Sequence, residues 1–108
     1  MIYELRIYTT VPGRMAALQA RFRDHTLRIW ERHGIKTVGF WTTLVGPDNN
    51  DLIYMIVWES LAERETKFTA FQSDPEWLAV RAETEKAGPI NARIASSFLT
   101  PTDFSALK

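Results

Sequence analysis

The first residues of the chain alternate between apolar and polar side chains, which is the pattern of a half-buried β-strand. Residues 2 to 9 are rich in β-forming types and divide into two faces. Tyr3, Leu5 and Ile7 form the apolar face, and Glu4, Arg6 and Tyr8 form the polar face. The turn-forming pair Pro12-Gly13 follows and ends the predicted strand.

A helical periodicity replaces the alternation from Arg14 to His33, and Gly34 stands where a helix end commonly needs a left-handed residue. The apolar positions fall on one stripe of a helical wheel, with His25 and Trp30 at its two edges. The stripe contains Met15, Leu18, Phe22, Ile29 and His33.

The remaining elements are bounded by turn residues and caps. Ser60 and Asp74 each stand at the start of a predicted helix, the first of which directs Leu61, Phe68 and Phe71 toward a core. The predicted strands are 36–45, 52–58 and 92–99, with a hairpin loop at 46–50 and a stop at Gly88-Pro89. The order β-α-β-β-α-(α)-β predicts an α+β, ferredoxin-like fold with a four-stranded antiparallel sheet, and one domain over 1–108.

Both faces of this sheet are predicted to be apolar. Residues 52–58 are apolar at every position, whereas a sheet covered by helices on one side should leave a polar open face. Without a partner, the patch left in water would contain Tyr54, Ile56, Trp58 and Trp41, or else the apolar side chains of the other face of the sheet. The pattern therefore predicts a homodimer that packs through its sheet faces.

Composition excludes several classes of function. Basic and acidic residues number 13 each, so nucleic acid is not a predicted partner. The chain has no cysteine, which removes disulfides, thiolate metal sites and a cysteine nucleophile. No apolar run is long enough to cross a bilayer, so membrane insertion is not expected. A cytoplasmic location is expected instead.

Several motifs in this order resemble the NIPSNAP family, and the resemblance covers nearly the whole chain. The matching segments are residues 2–9 with Pro12-Gly13, 33–36 with 38–41, the hairpin loop with Asn49-Asn50, 61–65, 74–77 and 101–105. One departure is the approach to the hairpin, Leu44-Val45-Gly46-Pro47-Asp48. The resemblance implies the dimeric α/β-barrel form of the ferredoxin-like fold. It does not imply one activity, since relatives of the fold include cofactor-free monooxygenases, isomerases and haem-binding barrels.

Two histidines are the only side chains that titrate near neutral pH in the ordinary way. His25 and His33 are eight residues apart on one helix, about 12 Å along its axis, so they cannot chelate one metal ion together. No metal site or cofactor is predicted. A structural role is favoured for His33 at the helix end, and His25, beside three arginines, is a candidate catalytic base.

Polar and aromatic residues supply a candidate ligand site. Glu4, Arg6 and Tyr8 could orient a ligand inside the barrel. Alternatively, Glu4 and Arg6 could pair with strand neighbours or across the dimer, and Arg64 and Glu65 are expected to form an exposed ion-pair face. Aromatic rings could line an apolar pocket between sheet and helices, or simply form the core. The candidate rings are Trp30, Trp41, Tyr54, Trp58, Phe68, Phe71 and Trp77.

The leading functional prediction is a homodimeric domain that binds a small apolar or aromatic ligand. One alternative is a cofactor-independent monooxygenase or isomerase in which His25 is the base and Tyr8 and Trp41 hold the substrate. Another is an interaction or scaffold protein. No nucleophile elbow, P-loop or dinucleotide fingerprint is present in the sequence.

Overall fold

Four strands form a single antiparallel sheet in the computed structural model, which describes residues 1–108. The strands are β1 (Ile2–Thr10), β2 (Lys36–Thr42), β3 (Asp51–Trp58) and β4 (Asn91–Leu99). Their order across the sheet is β2-β3-β1-β4, so β1 and β3 are the two central strands. The predicted ferredoxin-like order of elements is confirmed.

Two of the helices begin at a residue whose side chain caps them, whereas the first helix begins without a side-chain cap. The first runs as α1 (Met15–Arg21), a π-helical segment (Phe22–Thr26) and α2 (Leu27–Arg32), followed later by α3 (Leu61–Gln72) and α4 (Pro75–Thr84). Ser60 Oγ accepts from the Glu63 amide at 3.1 Å to open α3, and Asp74 Oδ1 accepts from the Glu76 amide at 2.8 Å to open α4. No helix combines the length and the apolar composition needed to span a membrane.

The core lies between the helices and one face of the sheet. Side chains from the first helix, including Leu18, Ile29 and Trp30, pack with those of β3. The largest fully buried side chains of this layer come from both sides: Trp30, Trp58, Tyr54, Leu18, Ile29 and Ile56. Because close packing of this kind removes most apolar surface from water, it is the main source of stability for the domain.

The opposite face of the sheet, here called the open face, is also apolar and carries no helix. Its centre is formed by half-buried side chains that do not belong to the core: Leu5, Ile7, Ile53, Met55 and Val57. Trp41 pairs with Ile53 and is 51% exposed, so it lies on the open face and not, as expected, with Tyr54. The cause is a register irregularity between Thr37 and Gly39 in β2, which a simple alternation cannot reveal.

Two other expectations differ from the structure. The predicted second strand extends to Val45, but β2 ends at Thr42, and Leu44 and Val45 are 97% and 95% exposed in the following loop. Leu61, predicted to face the core, is 55% exposed because it lies at the first position of α3, before the helix meets the sheet. The predictions for Phe68 and Phe71 are confirmed, since both are buried in the core.

We predict that Gly34→Ala lowers the free energy of unfolding by about 1 kcal/mol. Gly34 has a φ of +72° at the end of the first helix, where its amide donates to the Glu31 carbonyl at 3.1 Å. A Cβ there would strain the backbone, and urea unfolding followed by circular dichroism measures the cost. Gly34→Asn is the control, because asparagine tolerates this conformation better. Equal stability of the alanine variant and the parent would contradict the prediction.

Candidate functional site

The polar face of β1 points toward the helices, into the interior of the protein. Glu4 and Tyr8 are 0% and 8% exposed, and Arg6 is 7% exposed between them. Charged groups are rarely buried unless other groups satisfy them, so this arrangement requires a network of partners. The partners come from β1 itself, from its two neighbouring strands β3 and β4, and from α3.

Glu4 is the centre of this network. Its two carboxylate oxygens accept hydrogen bonds from two arginines, a tryptophan and a serine: Arg6 Nη1 at 2.8 Å, Arg64 Nε at 3.2 Å, Arg64 Nη2 at 3.3 Å, Trp58 Nε1 at 3.0 Å and Ser96 Oγ at 2.8 Å. These donors come from β1, α3, β3 and β4. One carboxylate therefore ties three strands and a helix together.

The hydrogen bonds also keep Glu4 ionised. Burial by itself raises the pKa of this carboxyl, but the bonds from Arg6, Ser96, Arg64 and Trp58 outweigh burial and hold the pKa below its ordinary value. The prediction that Arg64 belongs to an exposed ion-pair face is wrong. Its guanidinium instead contacts the buried carboxylate, because the long side chain reaches inward over the Phe68 ring at 4.5 Å.

Arg6 connects this network to two tyrosines. Its Nε donates to Tyr54 Oη at 2.7 Å and its Nη2 donates to Tyr8 Oη at 3.2 Å, so each of its three nitrogens has a partner. Its guanidinium also lies 5.1 Å from the centre of the Phe68 ring. Burial lowers the pKa of Arg6, but the contacts with Tyr8, Tyr54 and Glu4 raise it by a larger amount. The net direction is therefore upward, and Arg6 is permanently charged.

A cleft of about 470 Å³ opens between this network and the helices, and we call it the sheet–helix cleft. Its volume falls in the range of roughly 300–1,000 Å³ that is usual for small-molecule sites. Six aromatic side chains form most of the apolar part of its wall, and several of the rings meet edge to face: Tyr8, Phe22, Trp30, Phe68, Phe71 and Trp77. An aromatic or polycyclic ligand would find apolar surface on more than one side.

Polar side chains complete the wall of the sheet–helix cleft. They are Arg6, Arg21, Thr26, Gln72, Arg81, Glu85 and Asn91. Two buried polar atoms of cleft residues have no hydrogen-bond partner in the chain, namely Trp30 Nε1 and Asn91 Oδ1. Buried polar groups are nearly always satisfied, so these two atoms are unusual, and both are shielded from solvent behind the surface of the cleft wall.

The π-helical segment shapes one side of the cleft. Phe22 and Thr26, its first and last residues, both line the cleft, and Thr26 Oγ1 donates to the Arg21 carbonyl at 3.3 Å. A π turn accommodates an extra residue and rotates the positions that follow it, which changes the faces presented by the helix. Trp30 is consequently 2% exposed in the core, although an α-helical wheel places it at the edge of the stripe.

The family model for NIPSNAP matches residues 3–106, almost the entire chain. The chain belongs to the NIPSNAP family. The resemblance predicted from the sequence motifs is thereby confirmed. No curated protein matches the sequence.

Solved structures of NIPSNAP proteins share the fold of the chain over its full length. A NIPSNAP family protein from Agrobacterium tumefaciens is 26% identical, with a TM-score of 0.88 and coverage of 99% of this chain and 98% of that one. A second A. tumefaciens NIPSNAP family protein, of unknown function, is 24% identical, with a TM-score of 0.87 and coverage of 100% and 94%. A more distant structure, a proposed antibiotic biosynthesis monooxygenase from Nitrosomonas europaea, is 10% identical, with a TM-score of 0.63 and coverage of 94% and 98%. At that identity it shows only a common fold.

The candidate residues of this NIPSNAP chain fall into three groups. Five line the sheet–helix cleft: Arg6, Tyr8, Trp30, Phe71 and Trp77. Tyr54 and Trp58 lie beneath it and hold Arg6 and Glu4 in place. Trp41 and His25 do not line the cleft: Trp41 lies on the open face, and His25, within the π-helical segment, is not among the wall residues.

His33 belongs to a cluster at the far end of the first helix. Its Nε2 lies 2.7 Å from Asp74 Oδ2, which also accepts from Arg32 Nη1 at 2.7 Å. The hydrogen bond from Arg32, followed by that from His33, holds the pKa of Asp74 well below its usual range. Because Asp74 caps α4, this cluster fixes the start of the helix that carries Trp77 into the cleft. No group of three histidine, aspartate or glutamate side chains is arranged to hold a metal ion.

Arg21, Arg81 and Glu85 line the cleft and Arg64 contacts Glu4, although the sequence pattern assigns a site role to none of them. The three arginines lie on helix faces that a one-dimensional pattern makes solvent-exposed, yet Arg21 is only 6% exposed in the fold. One signal was present in the sequence, because a single strand with an acidic and a basic residue on one face requires compensating charges nearby. The pattern could not say which helix supplies them.

We predict that Glu4→Gln lowers the free energy of unfolding at neutral pH by on the order of 3 kcal/mol, because it leaves two arginines without their carboxylate. The folded-state pKa of Glu4 is lower than its unfolded value, so its contribution is present above about pH 4.3 and is lost as the pH falls. Urea unfolding of both proteins between pH 3 and pH 7 should show the stability gap narrowing in acid. The exposed Glu65→Gln is the matched control, and a gap independent of pH would contradict the ionised state assigned to Glu4.

Proposed function

We propose that this protein binds a small aromatic ligand in the sheet–helix cleft. The observation that carries the proposal is a cleft of ligand size in which six aromatic side chains stand beside the buried cations of Arg6 and Arg21. Aromatic surface beside fixed polar groups is typical of ligand sites. The arginine network beneath the cleft holds Tyr8 in position, so the site needs little reorganisation to accept a ligand.

Binding is favoured over catalysis by the position of His25. A general base must come within hydrogen-bond reach of its substrate, and His25 is not a cleft residue. The likeness to the Nitrosomonas protein concerns the fold only, so it adds no residue to a catalytic role. A purely structural or scaffold role would leave the cleft without an explanation.

We predict that a bulky residue at the mouth of the cleft weakens binding of an aromatic probe. Ile94 lines the cleft and is 50% exposed, so Ile94→Trp is tolerated by the fold while narrowing the entrance. Calorimetric titration with the neutral probe 2-naphthamide should show affinity reduced about tenfold, equivalent to about 1.4 kcal/mol. The titration is best preceded by native mass spectrometry of freshly purified protein, which reports any ligand retained through purification.

The matched control is Phe98→Trp. Phe98 lies on the same strand and is 47% exposed, but it is not a cleft residue, so this variant should bind the probe like the parent. His25→Ala should also bind normally. Loss of binding in Phe98→Trp, or full binding in Ile94→Trp, would argue against the cleft as the binding site.

We further propose that two copies of the chain pack through their open faces. The centre of this face is a continuous apolar surface on β1 and β3, and such surfaces on soluble proteins usually mark an interface. A two-fold pair would place the same patch on both copies, as most homodimers do. The equal numbers of acidic and basic residues add no net repulsion between the copies.

We predict that Met55→Asp converts the dimer to a monomer. Met55 pairs with Leu5 on one side and Gly39 on the other, so it lies at the centre of the open face, where a buried unpaired charge is costly. Size-exclusion chromatography with light scattering measures the mass of each variant. Leu78→Asp, on the exposed face of α4, introduces the same charge elsewhere and should remain dimeric. A parent protein that is monomeric at all concentrations would refute the proposal.

A further inference from the structure

Arg21 is a buried cation in which three of the five N–H donors have no partner in the chain. It is 6% exposed, lines the sheet–helix cleft and lies 5.2 Å from the centre of the Trp77 ring. Only its Nη1 has partners in the chain, Thr84 Oγ1 at 3.4 Å and Glu85 Oε2 at 3.1 Å. The edge formed by Nε and Nη2, which can bind a carboxylate through two parallel bonds, has no partner.

The charges around the cleft are not balanced. Glu85 Oε2 accepts from both Arg21 Nη1 at 3.1 Å and Arg81 Nε at 3.3 Å, so two arginines share one carboxylate. The network beneath the cleft repeats this arrangement, because Arg6 and Arg64 share Glu4. The two buried arginines, Arg6 and Arg21, therefore each share a carboxylate with a second, more exposed arginine, and the excess of positive charge favours an anionic ligand.

Among the cleft arginines, Arg21 is the one suited to bind an anion. Arg6 already donates from each of its three nitrogens to Glu4, Tyr8 and Tyr54. The side chain of Arg81 is 63% exposed, so water screens its charge. Arg21 alone combines burial, a free edge and an adjacent aromatic surface.

We propose that the sheet–helix cleft selects aromatic carboxylates, with the carboxylate of the ligand on the free edge of Arg21 and the ring of the ligand against the aromatic wall. This inference rests on the proposed ligand-binding function and names the chemical class of the ligand. A side-on arginine–carboxylate pair in a partly desolvated site is among the stronger polar contacts in proteins, so it would dominate selectivity.

The test compares 2-naphthoate with its neutral amide, 2-naphthamide, by calorimetric titration at pH 7. The parent protein should bind the carboxylate about 10–100-fold more tightly than the amide, and Arg21→Gln should lose that preference while still binding the amide. Arg23→Gln is the matched control, because Arg23 is exposed on the same helix and its loss changes the net charge equally. That variant should keep the preference of the parent.

Glu85→Gln supplies a readout in the opposite direction. Removing this carboxylate frees both arginines from their shared partner, so the affinity for 2-naphthoate should rise several-fold while that for 2-naphthamide stays constant. A gain of affinity cannot result from misfolding, so this variant tests the proposal even if Arg21→Gln is unstable.

The outcomes separate this proposal from the one on which it rests. Equal binding of the two probes by the parent protein, or an undiminished preference in Arg21→Gln, overturns the assignment of the anion site while ligand binding stands. Absence of binding for both probes overturns the ligand-binding function and this inference with it.

Discussion

A single buried carboxylate organises this domain. Glu4 is fully buried, and it is bonded by side chains from its own strand, both neighbouring strands of the sheet and α3. A buried charge is tolerated only when its partners are all present, so strands and helix must adopt one relative position to satisfy it. The apolar layers supply most of the stability, whereas this network supplies much of the specificity of their arrangement.

The same requirement explains why the sheet has unusual faces. Because the polar side of β1 is directed inward, its apolar side, with Leu5 and Ile7, is left on the open face. The inward arginine is accommodated by Tyr8 and Phe68, whose rings lie 5.4 Å and 5.1 Å from its guanidinium carbon. The sheet–helix cleft lies where this cation and these aromatic rings meet, since Arg6, Tyr8 and Phe68 all line it.

Much of the fold could be predicted from the sequence because its signals are local. Alternation identified β1, a continuous apolar run identified β3, and Ser60, Asp74 and Gly34 marked helix ends through bonds or backbone angles within a few residues. The motifs also indicated the correct family. Three features depend on contacts between residues distant in sequence, which a one-dimensional pattern does not contain. They are the direction of the β1 faces, the inward reach of Arg64 and the outward position of Trp41. The π-helical segment was not predicted for another reason, because a helical wheel assumes a constant rotation per residue.

The π segment has a consequence for how such a domain could change. A π turn is an α-helix with one additional residue, so deleting a single residue between Phe22 and Thr26 would restore regular geometry without moving the preceding strand. The residues after the deletion would keep their faces, because the π turn had absorbed the extra residue locally, and the change would be confined to the part of the cleft wall that Phe22 and Thr26 form. In this architecture an insertion or deletion in a helix, ordinarily among the most damaging of mutations, becomes a route by which ligand preference could diversify.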